Sequence, residues 1–80
     1  MHEARLLAPV LKGIEEHARK EGARAVRTVR FKIGQRLKLE EPLVRKEFIS
    51  LTKGTVLEGA RLELIYFPAY RIEVVSFDID

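Results

Sequence analysis

The first three residues, Met1, His2 and Glu3, place a free amino group, two backbone amide nitrogens and an imidazole in one short segment. Four such nitrogens can surround one divalent ion in a plane, the tetragonal geometry that nickel(II) and copper(II) favour. The tripeptide is not specific by itself, because a frayed and solvated terminus is the common state of such residues. Two interpretations are therefore open, a nickel site and an inert terminus, with copper as the competing metal.

His17 is the second of the two histidines in the chain. If His2 and His17 share one helix, a rise of about 1.5 Å per residue separates them by about 22 Å, so they cannot share an ion. We therefore expect His17 to be a partly exposed helical residue. Adjacent carboxylates at 15–16 and 40–41 do not face each other on a helix, and neither serine has a histidine at an activating spacing. We find no nucleophile, general base or cofactor fingerprint and do not expect an enzyme.

Composition narrows the class of protein. The 80 residues are 46% hydrophobic and contain no cysteine, which predicts one globular domain over residues 1–80 and excludes disulfides and zinc–thiolate sites. No apolar run approaches the roughly 20 residues of a membrane span, and the amino terminus lacks the pattern of a signal peptide. We therefore expect a soluble, cytoplasmic protein that does not associate with a membrane.

The net charge of +3 is spread over mixed acidic and basic residues, which is typical of a solvated surface. A basic strand face, formed by Thr28, Arg30 and Lys32 with Arg71 nearby, could contact RNA or an acidic protein. We expect this face to lack the interleaved aromatic residues that stack bases, which argues against a nucleic-acid partner. An exposed sheet edge that pairs with a second copy, giving a homo-oligomer, is the more plausible mode of interaction.

Hydrophobic periodicity predicts the first three elements. Apolar residues at three- and four-residue spacing predict a helix that ends near Gly22, and Pro9 favours a start or a bend near Leu6. A period of two predicts a strand from Val26 to Gly34. A second helix follows over residues 42–54, with a proline in its first turn and a glycine at its end.

Two further strands end the chain, β2 over residues 60–67 and β3 over residues 70–79. A phase change at Val74 and Val75 predicts a β-bulge in β3. Because only Pro68 and Ala69 separate the strands, we expect a β2–β3 hairpin. The predicted fold class is α/β (α+β): a two-layer sandwich of αβαββ order, in which both helices cover one face of a three-stranded mixed sheet.

Several segments carry a family resemblance through their order and spacing. In chain order they are Met1-His2-Glu3 before a helix with Leu6, residues 18–23, Ile33-Gly34, Phe48, Thr52-Lys53-Gly54-Thr55, Glu58-Gly59-Ala60, Leu62-Glu63-Leu64 and residues 70–78. Together they make the chain resemble the nickel-binding domain of the HypA/HybF family, the nickel-insertion accessory proteins of hydrogenase and urease maturation. The resemblance extends over nearly all of the chain.

The resemblance implies the roles of three residues. The His2 imidazole would bind nickel, and the backbone nitrogens of His2 and Glu3, with the Met1 amine, would complete a planar set. Amide nitrogens must lose protons to bind a metal, so the affinity should rise with pH. As partners, the resemblance implies a maturation GTPase or the precursor of a nickel enzyme.

The chain departs from the family pattern at three places. The family normally carries a zinc-binding module with two CxxC pairs between its second and third strands, whereas here Phe67-Pro68-Ala69-Tyr70 joins them directly. We therefore expect no zinc. Gln35 stands where the family often has an acidic residue, and Pro9 is atypical in the first helix.

Two functions remain open from the sequence. The first is a small nickel metallochaperone that presents Ni(II) at its amino terminus during maturation of an enzyme such as hydrogenase. The second is a protein–protein interaction module without metal on the same scaffold, which assists assembly of another complex; a homodimer is one form open to it.

Overall fold

The computed structural model describes residues 2–80, with side chains from Arg5 onward. Met1 and the side chains of His2 and Glu3, on which the predicted metal site depends, lie outside the described residues. The elements are α1 (His2–Lys20), β1 (Val26–Gly34), a short 3-10 helix (Gln35–Leu37), α2 (Glu41–Thr52), β2 (Arg61–Phe67) and β3 (Ile72–Ile79). This is the order predicted from the periodicity.

The first helix begins earlier than expected. We predicted a start or a bend near Leu6 because Pro9 lacks an N–H, but α1 begins at His2 and contains Pro9 in its interior. Leu7 and Leu11, on either side of Pro9, are 0% and 6% exposed, so packing against the core holds the helix on both sides of the proline. No helix within residues 2–80 is long and apolar enough to cross a membrane.

The sheet has the order β2-β1-β3, with β1 in the centre. β1 pairs with β2 in parallel and with β3 in antiparallel orientation. The predicted β2–β3 hairpin is therefore wrong, since these strands lie on opposite sides of β1. Two strand spacings amount to about 9.6 Å, which the four residues of the connection, 68–71, can span at about 3.3 Å each. A short connection thus does not require direct pairing.

The β2–β3 connection is fastened to the end of β1. The Gly34 N–H donates to the Arg71 carbonyl at 2.8 Å, and the Arg36 N–H donates to the Ala69 carbonyl at 3.0 Å. A Cβ atom at Gly34 would lie 2.4 Å from the Ala69 oxygen, much closer than real contacts. Glycine is therefore needed at this position for close approach of two backbones.

The predicted β-bulge in β3 is confirmed. Arg30 of β1 pairs with Ser76 and its neighbour Phe31 pairs with Val74, so Val75 is the extra residue. Its insertion lets apolar side chains on both sides of the bulge face the core despite the change of phase.

Both helices pack on one face of the sheet, which confirms the two-layer arrangement and the fold class. On β1, Val29, Phe31 and Ile33 are each 0% exposed, and they join α1, through Leu7, and α2, through Val44, in one core. The alternating residues of β1 point to the opposite face, which no helix or strand within residues 2–80 covers. We call this uncovered side the open face of the sheet.

Candidate metal centre

The start of α1 supplies the backbone part of the predicted metal site. His2 and Glu3 are the first two residues of this helix, and the first four N–H groups of any α-helix have no acceptor within it. The amide nitrogens of His2 and Glu3 are therefore not needed by the hydrogen bonds of the helix. An earlier helix start than expected thus leaves these two nitrogens available to a metal.

The orientation of α1 brings its first residues to one end of the sheet. A groove between α1 and β3 has Pro9, His17 and Ile72 in its lining, and the His17 ring packs on Phe77. Only residues 21–25 separate the end of α1 from Val26, which pairs with Ile79 at the end of β3. α1 therefore runs alongside β3 in the same direction, and its amino terminus points to the end where β3 begins. Gly34 and the β2–β3 connection lie at that same end.

Side chains alone build no metal site in the part of the chain that the structure describes. No group of three or more histidine, cysteine, aspartate or glutamate side chains there could hold an ion. His17 lies on α1 with an exposed side chain, its ring packs edge-on against Phe77 with 5.4 Å between centroids, and its Nε2 lies 4.0 Å from Glu21. This agrees with a partly exposed helical residue that is not a ligand. The described side chains thus offer no alternative to the predicted site at the amino terminus, which stays a prediction.

The strongest electrostatic cluster lies elsewhere, on the open face of the sheet. The Arg30 guanidinium donates to Glu63 at 3.0 Å, to Ser76 at 3.1 Å and to both Asp78 oxygens at 3.1 and 3.2 Å. These hydrogen bonds hold the pKa of Asp78 below its ordinary value and raise that of Arg30. The cluster joins all three strands, so its role is to tie the sheet together rather than to bind a ligand.

A second group of charges lies near the end of β1, and the sequence indicated its Lys32 and Arg71 but not their aromatic neighbours. The Lys32 Nζ atom is 5.3 Å from the centre of the Phe67 ring, so the expectation that the basic face lacks neighbouring aromatics is wrong. The parallel pairing of β1 with β2 places Gly34 opposite Phe67. The alternation of side chains along β2 already placed Phe67 on the same face as Glu63. The sequence did not show the strand order, which puts β2 next to β1 and so brings Phe67 close to Lys32.

One buried polar group is unrelated to either cluster. The Tyr66 hydroxyl is buried with no hydrogen-bond partner among residues 5–80. Burial, followed by the nearby Glu41 carboxylate, raises the pKa of this phenol. Arg45 joins the same region, where it donates to Glu41 at 2.9 Å and to the Leu62 carbonyl at 2.8 Å, and so attaches α2 to β2.

Comparison with known proteins identifies relatives of this chain. Residues 1–72 match the family model described as hydrogenase/urease nickel incorporation, metallochaperone, hypA. The chain is 37% identical over 68 residues to hydrogenase maturation factor HypA of Dechloromonas aromatica, which covers 85% of this chain and 60% of that protein. It is 40% identical over 68 residues to the factor of the same name from Albidiferax ferrireducens, with the same coverage of 85% and 60%. The chain thus spans about 60% of the length of these relatives.

A solved structure supports the fold. The solution structure of the Ni metallochaperone HypA from Helicobacter pylori superposes with a TM-score of 0.81 at 16% sequence identity, and the match covers 96% of each chain. At that identity the likeness concerns the fold alone. It agrees with the αβαββ order and the mixed sheet described above.

Proposed function

The chain belongs to the HypA family of nickel-incorporation metallochaperones, and we propose that it binds nickel(II) at its amino terminus and delivers it during maturation of a nickel enzyme such as hydrogenase. Family membership agrees with an accessory factor rather than an enzyme. The proposed ligands are the Met1 amine, the backbone nitrogens of His2 and Glu3, and the His2 imidazole. The observation that carries the proposal is the start of α1 at His2, which leaves both amide nitrogens outside the hydrogen bonds of the helix.

The charge of the site is compatible with this proposal. A helix amino terminus carries the positive end of the helix dipole and disfavours a bare cation. A nickel(II) ion that displaces two amide protons, however, adds no net charge to the helix end. The same release of protons makes binding pH-dependent. Above about pH 8, where the Met1 amine is already deprotonated, the two amide protons should raise the affinity by up to about 100-fold per pH unit, and below that pH the amine proton makes the rise steeper.

Isothermal titration of the untagged protein with Ni(II) tests the proposal. We expect binding with a dissociation constant of about 1 μM or tighter, abolished by His2→Ala, because imidazole nitrogen is the only side-chain ligand in the set. His17→Ala is the matched control and should leave binding unchanged, since His17 lies at the other end of α1. No heat with intact protein, or equal losses in the two variants, would contradict the proposal. An amino-terminal tag must be absent, because it removes the free amine.

Copper needs a separate measurement. A nitrogen-rich site prefers copper(II) on intrinsic affinity, so we expect Cu(II) to displace Ni(II) in a competition titration. This outcome would be consistent with the ligand set. Selectivity for nickel would then have to come from the supply of metal to the protein rather than from the site.

The second candidate function is a homodimeric interaction module without metal. β3 is an edge strand that exposes apolar side chains, Val74 at 39%, Val75 at 49% and Ile79 at 40%, and such edges can pair with a second chain. The bulge at Val75 counts against regular pairing because bulges protect edges. Sedimentation of the metal-free protein distinguishes the two candidates, since a stable dimer without nickel would favour the second.

A further inference from the structure

Three cations at one end of the open face lie against aromatic rings. Lys32 Nζ is 5.3 Å from the centre of the Phe67 ring, and the Arg71 Cζ atom is 5.4 Å from the same centre. The Arg36 Cζ atom is 5.4 Å from the centre of the Tyr70 ring. We call these five residues the basic–aromatic patch.

The backbone under this patch is rigidly connected. Hydrogen bonds from the Gly34 and Arg36 amides fasten the β2–β3 connection to the end of β1, and the Ala69 side chain between them is buried. The three cations therefore come from three chain segments that are fixed relative to one another. A guanidinium held near a ring still has N–H groups to donate, because the ring accepts no conventional hydrogen bond from them, and arginine can bind a carboxylate with two parallel N–H groups.

The positive charge of the patch is incompletely balanced. Arg71 pairs with Glu73, but no carboxylate within residues 5–80 lies within 4.0 Å of Lys32 or Arg36. At the other end of the same face, Arg27, Arg30 and Arg61 all have a carboxylate within 4.0 Å. The excess of positive charge is thus localised at the patch.

We propose that the basic–aromatic patch is a docking surface for an acidic, extended segment of a partner protein. Two cations that have no carboxylate partner among residues 5–80, and a third held beside them, match a row of carboxylates on a partner. Nucleic acid fits less well, because base stacking needs open ring faces and here the rings of Phe67 and Tyr70 are engaged by the protein's own cations. Three cations would also give only weak binding to a phosphate backbone.

This proposal does not depend on nickel, although the two sites are neighbours. The amino terminus of α1 points to the end of the sheet that carries the patch, because His17, near the other end of α1, packs on Phe77 near the end of β3. A partner segment docked on the patch would therefore lie beside the start of α1. Tests with metal-free protein separate the docking proposal from the nickel proposal.

Fluorescence anisotropy with labelled probes tests the docking surface. The probes are a short peptide that alternates glutamate and serine, the same peptide with glutamine in place of glutamate, and a deoxythymidine oligonucleotide of equal charge. Two double variants remove the same net charge: Lys32→Gln with Arg36→Gln at the patch, and Arg27→Gln with Arg61→Gln as the control. All four side chains lie at or near the surface, and circular dichroism checks that each variant is folded.

We expect the glutamate peptide to bind at low ionic strength, and the patch variant to bind it about tenfold more weakly, the effect of losing two exposed charge pairs. The control variant should change the affinity by less than about twofold. No binding of the glutamate peptide, equal losses in the two variants, equal binding of the glutamine peptide, or tighter binding of the oligonucleotide would each overturn the proposal.

Discussion

Positively charged side chains have different partners at the two ends of the central strand β1. At the Val26 end, Arg27 pairs with Asp80 at 2.8 Å, and farther along the strand Arg30 pairs with Glu63 and Asp78. We call the part of the sheet that carries these ion pairs the neutralised end. At the Gly34 end, the cations of the basic–aromatic patch lie against rings, and Arg71 is the one of the three that also pairs with a carboxylate among residues 5–80.

The difference shows how the same residue type serves two purposes on one surface. A guanidinium surrounded by carboxylates on neighbouring strands holds the sheet together and has little capacity left for a partner. An aromatic ring is neutral, so it holds a cation in place without cancelling the cation's charge. Counting arginines and lysines in the sequence cannot separate these cases, since the distinction lies in what each one contacts.

The largest effect on stability should come from Gly34→Ala, which disturbs the close approach of two backbone segments under the patch. A Cβ atom there would meet the Ala69 carbonyl at 2.4 Å, so we expect the free energy of unfolding to fall by at least about 2 kcal/mol. Urea denaturation measures the change. Gly13→Ala is the matched control, because nothing lies within 4 Å of its Cβ position, and alanine in this exposed helix should stabilise by about 0.5–1 kcal/mol. Equal stability of the two variants would contradict the account of the connection.

A smaller effect is expected from Asp78→Asn, which tests the neutralised end. Because Arg30 lowers the pKa of Asp78 below the ordinary value of 3.8, the stabilisation is fully present above that pH and is lost as the pH falls through the lowered value. The variant should therefore be less stable than the natural protein at neutral pH, and the difference should shrink in acid. Urea denaturation midpoints of both proteins, at neutral pH and in acid, measure this difference in stability. Asp80→Asn, which removes one exposed pair, should show a smaller difference, and a gap that persists unchanged in acid would refute the interpretation.

The smallest change in stability should follow Tyr70→Leu at the patch. Tyr70 is 69% exposed, and an exposed cation–π contact contributes about 0.5–1 kcal/mol at most. Stability should thus change little, while binding of the glutamate peptide weakens a few-fold because Arg36 is no longer held. Denaturation and anisotropy on the same samples provide both values. Unaltered peptide binding would show that the ring has no part in holding the cation.

Much of the fold could be predicted from local sequence. Apolar periodicity gave the order of the elements, and Gly22, Gly54 and Gly59 all have the positive φ expected at helix ends and loops. The phase change at Val74 and Val75 located the bulge, because register is fixed by which face is buried. These features depend on residues close together in the chain.

The failures concern interactions between distant parts of the chain. Of the two outcomes expected at Pro9, the late start was wrong, because the helix continues through the proline with Leu7 and Leu11 buried on either side. The predicted β2–β3 hairpin was wrong because both strands pair with β1 instead of with each other. The two-residue separation between β2 and β3 does not determine which strand each of them pairs with. The same unknown strand order concealed the contact of Lys32 with Phe67. The predicted ligands Met1, His2 and Glu3 remain a prediction, to be tested by titration.

The separation of β2 from β3 gives the scaffold a natural place for an insertion. Extra chain added between Phe67 and Ile72 would leave the sheet on one side of β1 and return on the other, at two anchor points about 9.6 Å apart. Such a double tether would limit rotation of an inserted module far more than attachment at the tip of a hairpin. The added part would stand beyond the end of the sheet, beside the first residues of α1, and the layer formed by the helices would not have to change.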